Sequence, residues 1–226
     1  MPGAGVSALA AASGLAIEAG VLDAGPEALL DPGAPAWETV PGARLALEPT
    51  PLDRLPSAYV RAAWAKRPRA NPRQVEVRAL MAAGTLSLRL CWAAPRPVPA
   101  RSDLDAFPDA CAVLFPADGV SAPLGTMGSR RRPVAGWHWQ AGGMGPFALR
   151  ARGLGTVERA KADPLRAQAR HEAGSWSVVL SRPVDPGSPF STGRRVPVAF
   201  AIWCGAARER AGIKSHTPSW QELRLP

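Results

Sequence analysis

Short runs of alternating apolar and polar residues, separated by Gly and Pro, recur along most of the chain. The clearest example is residues 74–92, where one alternating run leads through an Ala-Ala-Gly turn into a second. Such alternation is typical of antiparallel strands with one buried and one solvated face. The pattern predicts a β-hairpin here, and it predicts that the polar face, with Glu76, Arg78, Ser87 and Arg89, is directed to solvent.

Further strand signals follow along the chain. Residues 109–115 form a nearly continuous apolar run, which is typical of a strand covered on both faces. Shorter strands are predicted at residues 44–48, 59–64, 134–141, 147–151, 175–181, 196–203 and 220–225. Residues 157–171 alone have the character of a helix or a long loop. The series predicts an all-β fold, a two-sheet antiparallel β-sandwich with few short helices.

Length and composition are consistent with one such domain. The chain has 226 residues, including 25 Pro and 22 Gly, which interrupt long helices and favour turns. Residues 1–30 are Ala/Gly-rich and are predicted to form an N-terminal extension with a short helix at 26–30, followed by the sandwich domain at 31–226. The start of the chain is a poor secretory signal, because it lacks a positively charged region and carries Glu18 within its apolar part. No run is long and apolar enough to predict a membrane span.

The net charge of +9 is carried almost entirely by arginine, and Lys214 is one of very few lysines. A neutral lysine amine can ligate a metal, whereas a guanidinium stays protonated and cannot. The arginines are dispersed and no nucleic-acid-binding motif is present, so a nucleic-acid partner is not expected. Cys91, Cys111 and Cys204 lack the spacing of a zinc or iron–sulfur site, and we expect Cys91 and Cys204 to act as small buried hydrophobic residues.

No arrangement of residues points to hydrolysis. His138, His171 and His216 lie outside any recognisable nucleophile motif, and the acidic residues are scattered. The residues favour no catalytic function.

Haem ligation is a further interpretation, because haem iron takes two axial donors from opposite faces of a flat apolar slot. Met127 lies between Gly125 and Gly128, where the backbone can approach a planar ligand closely, and Lys214 follows Gly212. On the residues alone, Met127 is better explained as an ordinary core or surface residue and Lys214 as a solvated charge. The pattern by itself therefore favours these ordinary interpretations over haem ligation.

Three segments resemble a known family: residues 109–116 (DACAVLFP), the loop PLGTMGS with the WHW strand after it, and residues 196–225. They resemble the haem b (gamma) subunit of a group of molybdenum enzymes in the DMSO reductase family. That group contains ethylbenzene dehydrogenase, dimethyl sulfide dehydrogenase and the chlorate and selenate reductases. The resemblance covers about residues 31–225. Its most specific part is the succession aromatic-Gly, Arg-x-Arg, Lys-Ser and Trp-x-x-Leu near the C-terminus.

The resemblance implies a β-sandwich that binds haem b, with Met127 and Lys214 as the axial ligands of the iron. His216 is the alternative second ligand, because it lies two residues after Lys214 and imidazole is a common haem ligand.

Other residues near these two become candidates for contact with the cofactor. Trp137, Trp139 and Trp203 are expected to pack on the porphyrin, with ordinary core packing as the alternative. Arg130, with the two arginines after it, is expected to pair with the haem propionates, with a solvated loop as the alternative.

The resemblance also implies a role. The chain would be a non-catalytic electron-transfer subunit that relays electrons between an iron–sulfur subunit, itself joined to a molybdopterin catalytic subunit, and an external cytochrome or quinone. Members of the family are usually periplasmic, while the poor signal leaves a cytoplasmic location open. The alternative function is a ligand-binding sandwich without haem, such as a carbohydrate-binding module, in which exposed tryptophans would stack on a sugar.

Overall fold

The computed structural model describes residues 16–67, 72–101, 106–143, 145–160, 164–186, 188–191 and 194–226. The strands are β1 (Ile17–Val21), β2 (Ala43–Ala46), β3 (Glu48–Pro49), β4 (Gln74–Ala82), β5 (Thr85–Ala93), β6 (Ala110–Pro116), β7 (Val134–Gln140), β8 (Phe147–Ala151), β9 (Glu158–Arg159), β10 (Arg166–Glu172), β11 (Ser175–Pro183), β12 (Arg195–Trp203), β13 (Ser215–His216) and β14 (Gln221–Arg224). Helix α1 is Ala58–Trp64, and 3-10 turns lie at Pro26–Leu29, Pro35–Thr39, Leu52–Arg54, Leu124–Thr126 and Gly205–Ala207. Within these ranges no helix has the length and apolar character needed to cross a bilayer.

The strands form one hydrogen-bonded series in the order β10-β11-β5-β4-β1-β14-β12-β6-β7-β8-β9, with β2 on β4, β13 on β12, and β3 on β13. The two halves of this series face each other across the core. Trp139 on β7 packs against Trp92 on β5 and Trp176 on β11, with ring centroids 6.4 and 5.2 Å apart. The predicted all-β sandwich is therefore confirmed.

Strand β1 joins the two layers of the sandwich. It runs parallel to both β4 and β14, whereas the other pairs among the described strands are antiparallel. Ile17 in this strand is 1% exposed and is aligned with Leu223 of β14. Because β1 lies within residues 1–30, the described part of the predicted N-terminal extension packs into the sheet. The position of the domain boundary stays a prediction.

The predicted hairpin of residues 74–92 is formed by β4 and β5. The two strands pair from Glu76 opposite Cys91 to Ala82 opposite Thr85. Between them, Ala83 and Gly84 both have positive φ, as the tight turns of hairpins require.

The prediction that the polar face of this hairpin is solvated is wrong, because residues 26–40 cover it. Leu29 and Trp37 are fully buried there and belong to one apolar cluster with Leu80 of β4. Ser87 is 0% and Arg89 7% exposed. Polar side chains thus lie beneath the covering segment.

The buried Arg89 and the half-buried Arg78 are paired by the segment that covers them. Arg89 donates to the Glu38 carboxylate at 2.9 Å and to the Pro32 carbonyl at 3.1 Å, and Arg78 donates to the Trp37 carbonyl at 2.7 Å. The hydrogen bond from Arg89 is the largest of the effects that lower the pKa of Glu38. These bonds attach residues 32–40 to the sheet, and they explain how charged side chains are tolerated beneath the cover.

Residues 59–64 form most of helix α1, so the predicted strand there is wrong. The Ser57 side chain accepts a hydrogen bond from the Val60 N–H at 3.3 Å, which caps the first turn. Trp64 is buried and Tyr59 is 82% exposed, so the helix buries one side only. The cap and the one-sided burial explain why a short run with strand-like residues is helical.

Residues 157–171 contain β9 and most of β10, so the predicted helix or long loop is also wrong in its described part. Strand β10 pairs with β11 along its whole length, from Arg166 opposite Ser181 to Glu172 opposite Ser175. It is an edge strand in which exposed and half-buried residues alternate. Its apolar positions are alanines, which give a weak alternation in the sequence.

The remaining predicted strands match β6, β7, β8, β11, β12 and β14 closely, and every residue of β6 is buried, as a strand covered on both faces requires. The three cysteines are free: Cys111 is buried, and Cys91 and Cys204 are half-buried.

The covering segment provides a test of the fold. We expect Trp37→Ala to lower the free energy of unfolding by about 3–5 kcal/mol, the range typical of removing a fully buried aromatic side chain. Trp37 is 0% exposed, and its indole N–H also donates to the Asp31 carbonyl at 3.1 Å. Guanidinium unfolding followed by circular dichroism measures the change. Tyr59→Ala is the matched control at an exposed aromatic residue and should change stability by less than about 0.5 kcal/mol; equal effects of the two substitutions would contradict the burial of Trp37.

Candidate functional site

Met127 and Lys214 lie side by side on the outer face of the second layer, the one that contains β12, β6, β7 and β8. The Lys214 amine Nζ is 3.8 Å from the Met127 thioether Sδ. Strands β6 and β12 form the floor beneath them, and the segments 50–55, 124–127 and 212–217 form the walls. The fold thus brings two residues that are distant in sequence to one point.

The backbone around Met127 holds its side chain over the sheet. Met127 ends the Leu124–Thr126 turn in the left-handed conformation, with φ 56° and ψ 49°, which is uncommon for a residue other than glycine. Gly128 follows with φ 84°, and a Cβ there would lie 2.8 Å from the Val134 nitrogen. Only glycine fits at 128, so the loop can lie flat against β7 and β8.

Lys214 directly precedes β13, which pairs with both β12 and β3. Its backbone carbonyl accepts hydrogen bonds from the Thr50 N–H at 2.9 Å and the Thr50 hydroxyl at 3.3 Å. These bonds fix the lysine between two segments that are far apart in sequence.

The charge of Lys214 is not neutralised in the site. The only hydrogen-bond partner of Nζ among the described residues is the Met127 thioether, a weak acceptor. The amine also lies 5.3 Å from the ring centroid of Trp203. Burial lowers the pKa of Lys214 to about 8. Deprotonation is therefore easier than for a solvated lysine, and the neutral amine is a metal ligand.

Two histidines lie near the lysine. The His138 ring packs against Trp203 with centroids 5.3 Å apart, and burial lowers the pKa of His138 to about 4. Burial is also the main cause that lowers the pKa of His216. The neutral form of His138 is thus favoured at neutral pH, so it adds no second positive charge beside Lys214.

Small residues on β12 leave the space that the two ligand candidates occupy. Along this strand the inward positions carry Val198, Phe200 and Ile202, which are all fully buried in the core. The outward positions between them are Ala199 and Ala201, and both line the site. A larger outward side chain at either alanine would fill the space beneath Met127 and Lys214.

The cavity between these residues has a volume of about 60 Å³. Its walls are largely apolar and include Leu55, Leu114, Leu124 and Leu154, while Arg54 and His216 also line it. Pockets for drug-sized ligands are typically about 300–1,000 Å³. The wall segments must move apart before a large planar group can enter.

Trp203, alone among the three tryptophans predicted to contact a cofactor, lies next to the Met127–Lys214 pair. Trp137 and Trp139 belong to the core of the sandwich, at 1% and 8% exposed. The structure does not bring these two rings to the cavity, because their face of β7 is directed between the layers. His138, on the opposite face of the same strand, is directed towards Trp203.

Arg130 is exposed and is not among the residues that line the cavity. His216 does line it, but Lys214 is the residue in contact with Met127. The His216 Nδ1 lies 2.8 Å from the Thr217 carbonyl. Lys214 therefore stays the predicted second ligand, with His216 as the alternative.

Arg54 and Thr50 are site residues that the sequence did not suggest. Each lies in a Pro-bounded segment with no motif, and only the pairing of β3 with β13 brings them to Lys214. The alternation of large and small residues along β12 is a signal that could have indicated the cavity floor. Within the described part of the chain, no cluster of three or more His, Cys, Asp or Glu residues could hold a metal ion.

Comparison with known proteins gives three relatives. The chain is 35% identical over 160 residues to chlorate reductase subunit gamma of Ideonella dechloratans, covering 69% of this chain and 66% of that one. It is 31% identical over 191 residues, covering 81% and 64%, to a Haloferax mediterranei protein described as a respiratory nitrate reductase heme subunit. It is 32% identical over 132 residues, covering 54% and 49%, to dimethylsulfide dehydrogenase subunit gamma of Rhodovulum sulfidophilum. The chain therefore spans only about half to two thirds of the length of these relatives.

No family model matches the chain. Among solved structures, a Bacteroides uniformis protein described as carbohydrate-binding superposes with a TM-score of 0.52 at 12% identity, covering 95% of this chain and all of that one. At this identity the likeness supports the sandwich fold alone.

The buried amine makes the stability of the cofactor-free protein depend on pH. Because burial lowers the pKa of Lys214 from 10.5 to about 8, the unfolded chain binds more protons than the folded chain between these pH values. The free energy of unfolding should therefore rise with pH across this window, by about 3 kcal/mol from this residue.

Lys214→Met isolates the effect, since it removes the amine and keeps a side chain of similar length. We expect the variant to be more stable than the parent at pH 7, with the difference shrinking as pH rises from 8 to 10.5. Urea unfolding at a series of pH values measures it. Lys66→Met, at an exposed lysine, is the control and should show no such trend. A constant difference across the window would contradict the burial of an unneutralised amine.

Proposed function

Because the chain belongs to the family of the gamma and haem subunits of chlorate reductase, dimethylsulfide dehydrogenase and their relatives, we propose that it binds one haem b and transfers electrons. In this proposal Met127 and Lys214 would hold the iron, through the thioether sulfur and the neutral amine nitrogen. The chain performs no reaction on a substrate by itself.

One observation carries the proposal: the amine of the half-buried Lys214 and the thioether of Met127 lie 3.8 Å apart, and among the described residues no acid is bonded to the amine. The two donor atoms are thus positioned so that they would hold one iron between them once the wall segments move apart.

The residues around the pair also fit the group. The walls are apolar, as a porphyrin ring requires, and one cation, Arg54, lines the cavity. The amine loses its proton more readily than a solvated lysine, because burial lowers its pKa to about 8 and a metal ion favours the neutral form further. The cavity of about 60 Å³ must still widen before a haem can enter.

When bound, haem b supplies a one-electron couple. Met127 favours the ferrous state and tends to raise the potential, while the apolar walls exclude water from the iron. Thr50 holds the carbonyl of Lys214 and thereby positions its amine. With both side chains bound to the iron, no coordination site would be left for a substrate, which suits electron transfer.

We further propose that this subunit relays electrons between an iron–sulfur subunit, joined to a molybdopterin catalytic subunit, and an external cytochrome or quinone. The relatives are named as subunits of reductases and a dehydrogenase, which supports a role inside a larger complex. The net charge of +9 would increase the rate of association with acidic partners. The periplasm is the compartment we propose, on the resemblance alone.

The carbohydrate-binding alternative requires tryptophans that are accessible to a sugar. All eight tryptophans lie in the described part of the chain, and each is buried or half-buried. No observation at the surface favours sugar binding over haem binding.

Substitution of the ligands tests the proposal. We expect the protein reconstituted with haem b to give a low-spin spectrum with sharp bands on reduction. Met127→Ala and Lys214→Ala should each convert part or all of it to high-spin haem, because each leaves one axial position open. Absorption spectra of the ferric and ferrous forms measure the change.

His216→Ala is the control and should keep the low-spin spectrum. A normal spectrum in Lys214→Ala combined with a changed one in His216→Ala would assign the second ligand to His216. A featureless visible spectrum of the parent protein after reconstitution would refute haem binding altogether.

A further inference from the structure

Arg54 lies where the cavity that contains Met127 and Lys214 meets solvent. Its side chain is exposed, yet the residue lines this cavity. The guanidinium Nη1 lies only 3.0 Å from the place where a Cβ on Gly125 would be. The absence of a side chain at Gly125 therefore lets the guanidinium lie against the loop that carries Met127.

The position of Arg54 is coupled to that of Lys214. Residues 52–54 form a 3-10 turn that directly follows Thr50 and Pro51. Thr50 donates to the Lys214 carbonyl at 2.9 Å, and Leu55 packs close to Gly212. The turn that carries Arg54 is thus attached on both sides to the segment that carries the lysine.

The Arg54 guanidinium has neither an ion pair nor a hydrogen bond within the described ranges. Many other arginines of the chain are paired with acids, for example Arg78 and Arg89 with Glu38. Two cationic side chains, Lys214 and Arg54, line the cavity. Glu48 lies opposite His216 in the pairing of β3 with β13, but no acid within the described ranges is paired with the guanidinium of Arg54.

We infer that Arg54 binds a propionate of the haem, and so provides the anionic end of the ligand with its counterion. This rests on the function proposed above. A haem has one apolar edge and one edge with two carboxylates, and the site has the matching asymmetry. The leucines and alanines of the floor and walls are apolar, while the guanidinium stands at the solvent side with free donors. Arginine suits this contact because its planar donors match a carboxylate.

Arg54 thus takes the place of Arg130 as the residue proposed to contact the propionates. Arg130 belongs to a turn at residues 129–132 that closes on itself, with the Ser129 N–H donating to the Arg132 carbonyl at 2.9 Å. That turn follows the Met127 loop in sequence but does not line the cavity. Nearness in sequence suggested Arg130, whereas pairing between distant strands brings Arg54 to the site.

Comparison of haem b with its dimethyl ester, in which both propionates are blocked, tests this contact. We expect Arg54→Ala to bind haem b roughly 3- to 10-fold more weakly than the parent, as for a partly exposed charged pair. The parent should bind the ester more weakly than haem b, whereas Arg54→Ala should bind the two alike. Titration of the cofactor-free proteins, followed by the Soret band, measures the affinities. Arg130→Ala is the matched control and should behave as the parent does.

Two further readouts separate a charge contact from a packing effect. Arg54→Lys should recover part of the affinity for haem b, and Arg54→Ala should lower the midpoint potential, because loss of a nearby positive charge favours the ferric state. If Arg54→Ala discriminates between haem b and the ester as strongly as the parent does, the inference is wrong even though haem binds. If the parent protein itself gives no low-spin haem spectrum, the proposed function is wrong. The experiment thus distinguishes failure of the proposed function from failure of the Arg54 contact.

Discussion

The site depends on the contact of a half-buried lysine amine with a thioether, without a bonded carboxylate to neutralise the amine. Removing a lysine from water is costly unless the charge is paired or lost. Here the 3.8 Å contact of Lys214 with Met127 provides only a weak acceptor, and the pKa of the amine falls to about 8. A fold selected for stability alone would place an apolar residue at this position. The proposed function accounts for the amine, because a lysine that ligates a metal ion must be in its neutral form.

The sandwich holds this unfavourable contact in place through pairing between distant segments. Strand β13 lies between β12 and β3, which sets the backbone of Lys214 against Thr50. On the other side, the left-handed conformation of Met127 and the tight packing at Gly128 fix the methionine loop against β7 and β8. Neither loop needs the other for its own geometry. The arrangement of the sheet therefore sets the two side chains opposite each other, and they would stay opposite each other when the walls move apart to admit a ligand.

Much of the fold was predictable, because strand periodicity is a local property. The hairpin of β4 and β5 and the fully buried β6 follow directly from their alternation and from their continuous apolar run. The errors have equally local causes. Strand β10 has Ala167, Ala169 and His171 at its half-buried positions and no large apolar residue, and α1 depends on the Ser57 cap. The cover over β4 and β5 could not be predicted, since burial of Arg89 depends on Glu38 and Pro32 in another segment.

The site was predictable only in part, because successive side chains of a strand alternate between its two faces. Trp137 and Trp139 share one face of β7, as the alternation requires, but alternation cannot say which face meets the other layer. Met127 and Lys214 were predicted as ligands from a resemblance to known subunits, whereas the contact between them depends on the tertiary fold. Arg54 has no sequence signal at all, because only strand pairing brings it near the lysine.

The fold and the site lead to different functional conclusions, and the site is the better guide. The likeness to a carbohydrate-binding sandwich concerns the scaffold, at 12% identity. In this chain the tryptophans that a sugar would need are used for packing: three of them meet between the layers. The distinctive chemistry lies on the outer face of the second layer, where Ala199 and Ala201 leave room for two potential ligand atoms. A common sandwich thus becomes a candidate electron carrier through small residues on one strand and two loops that meet above it.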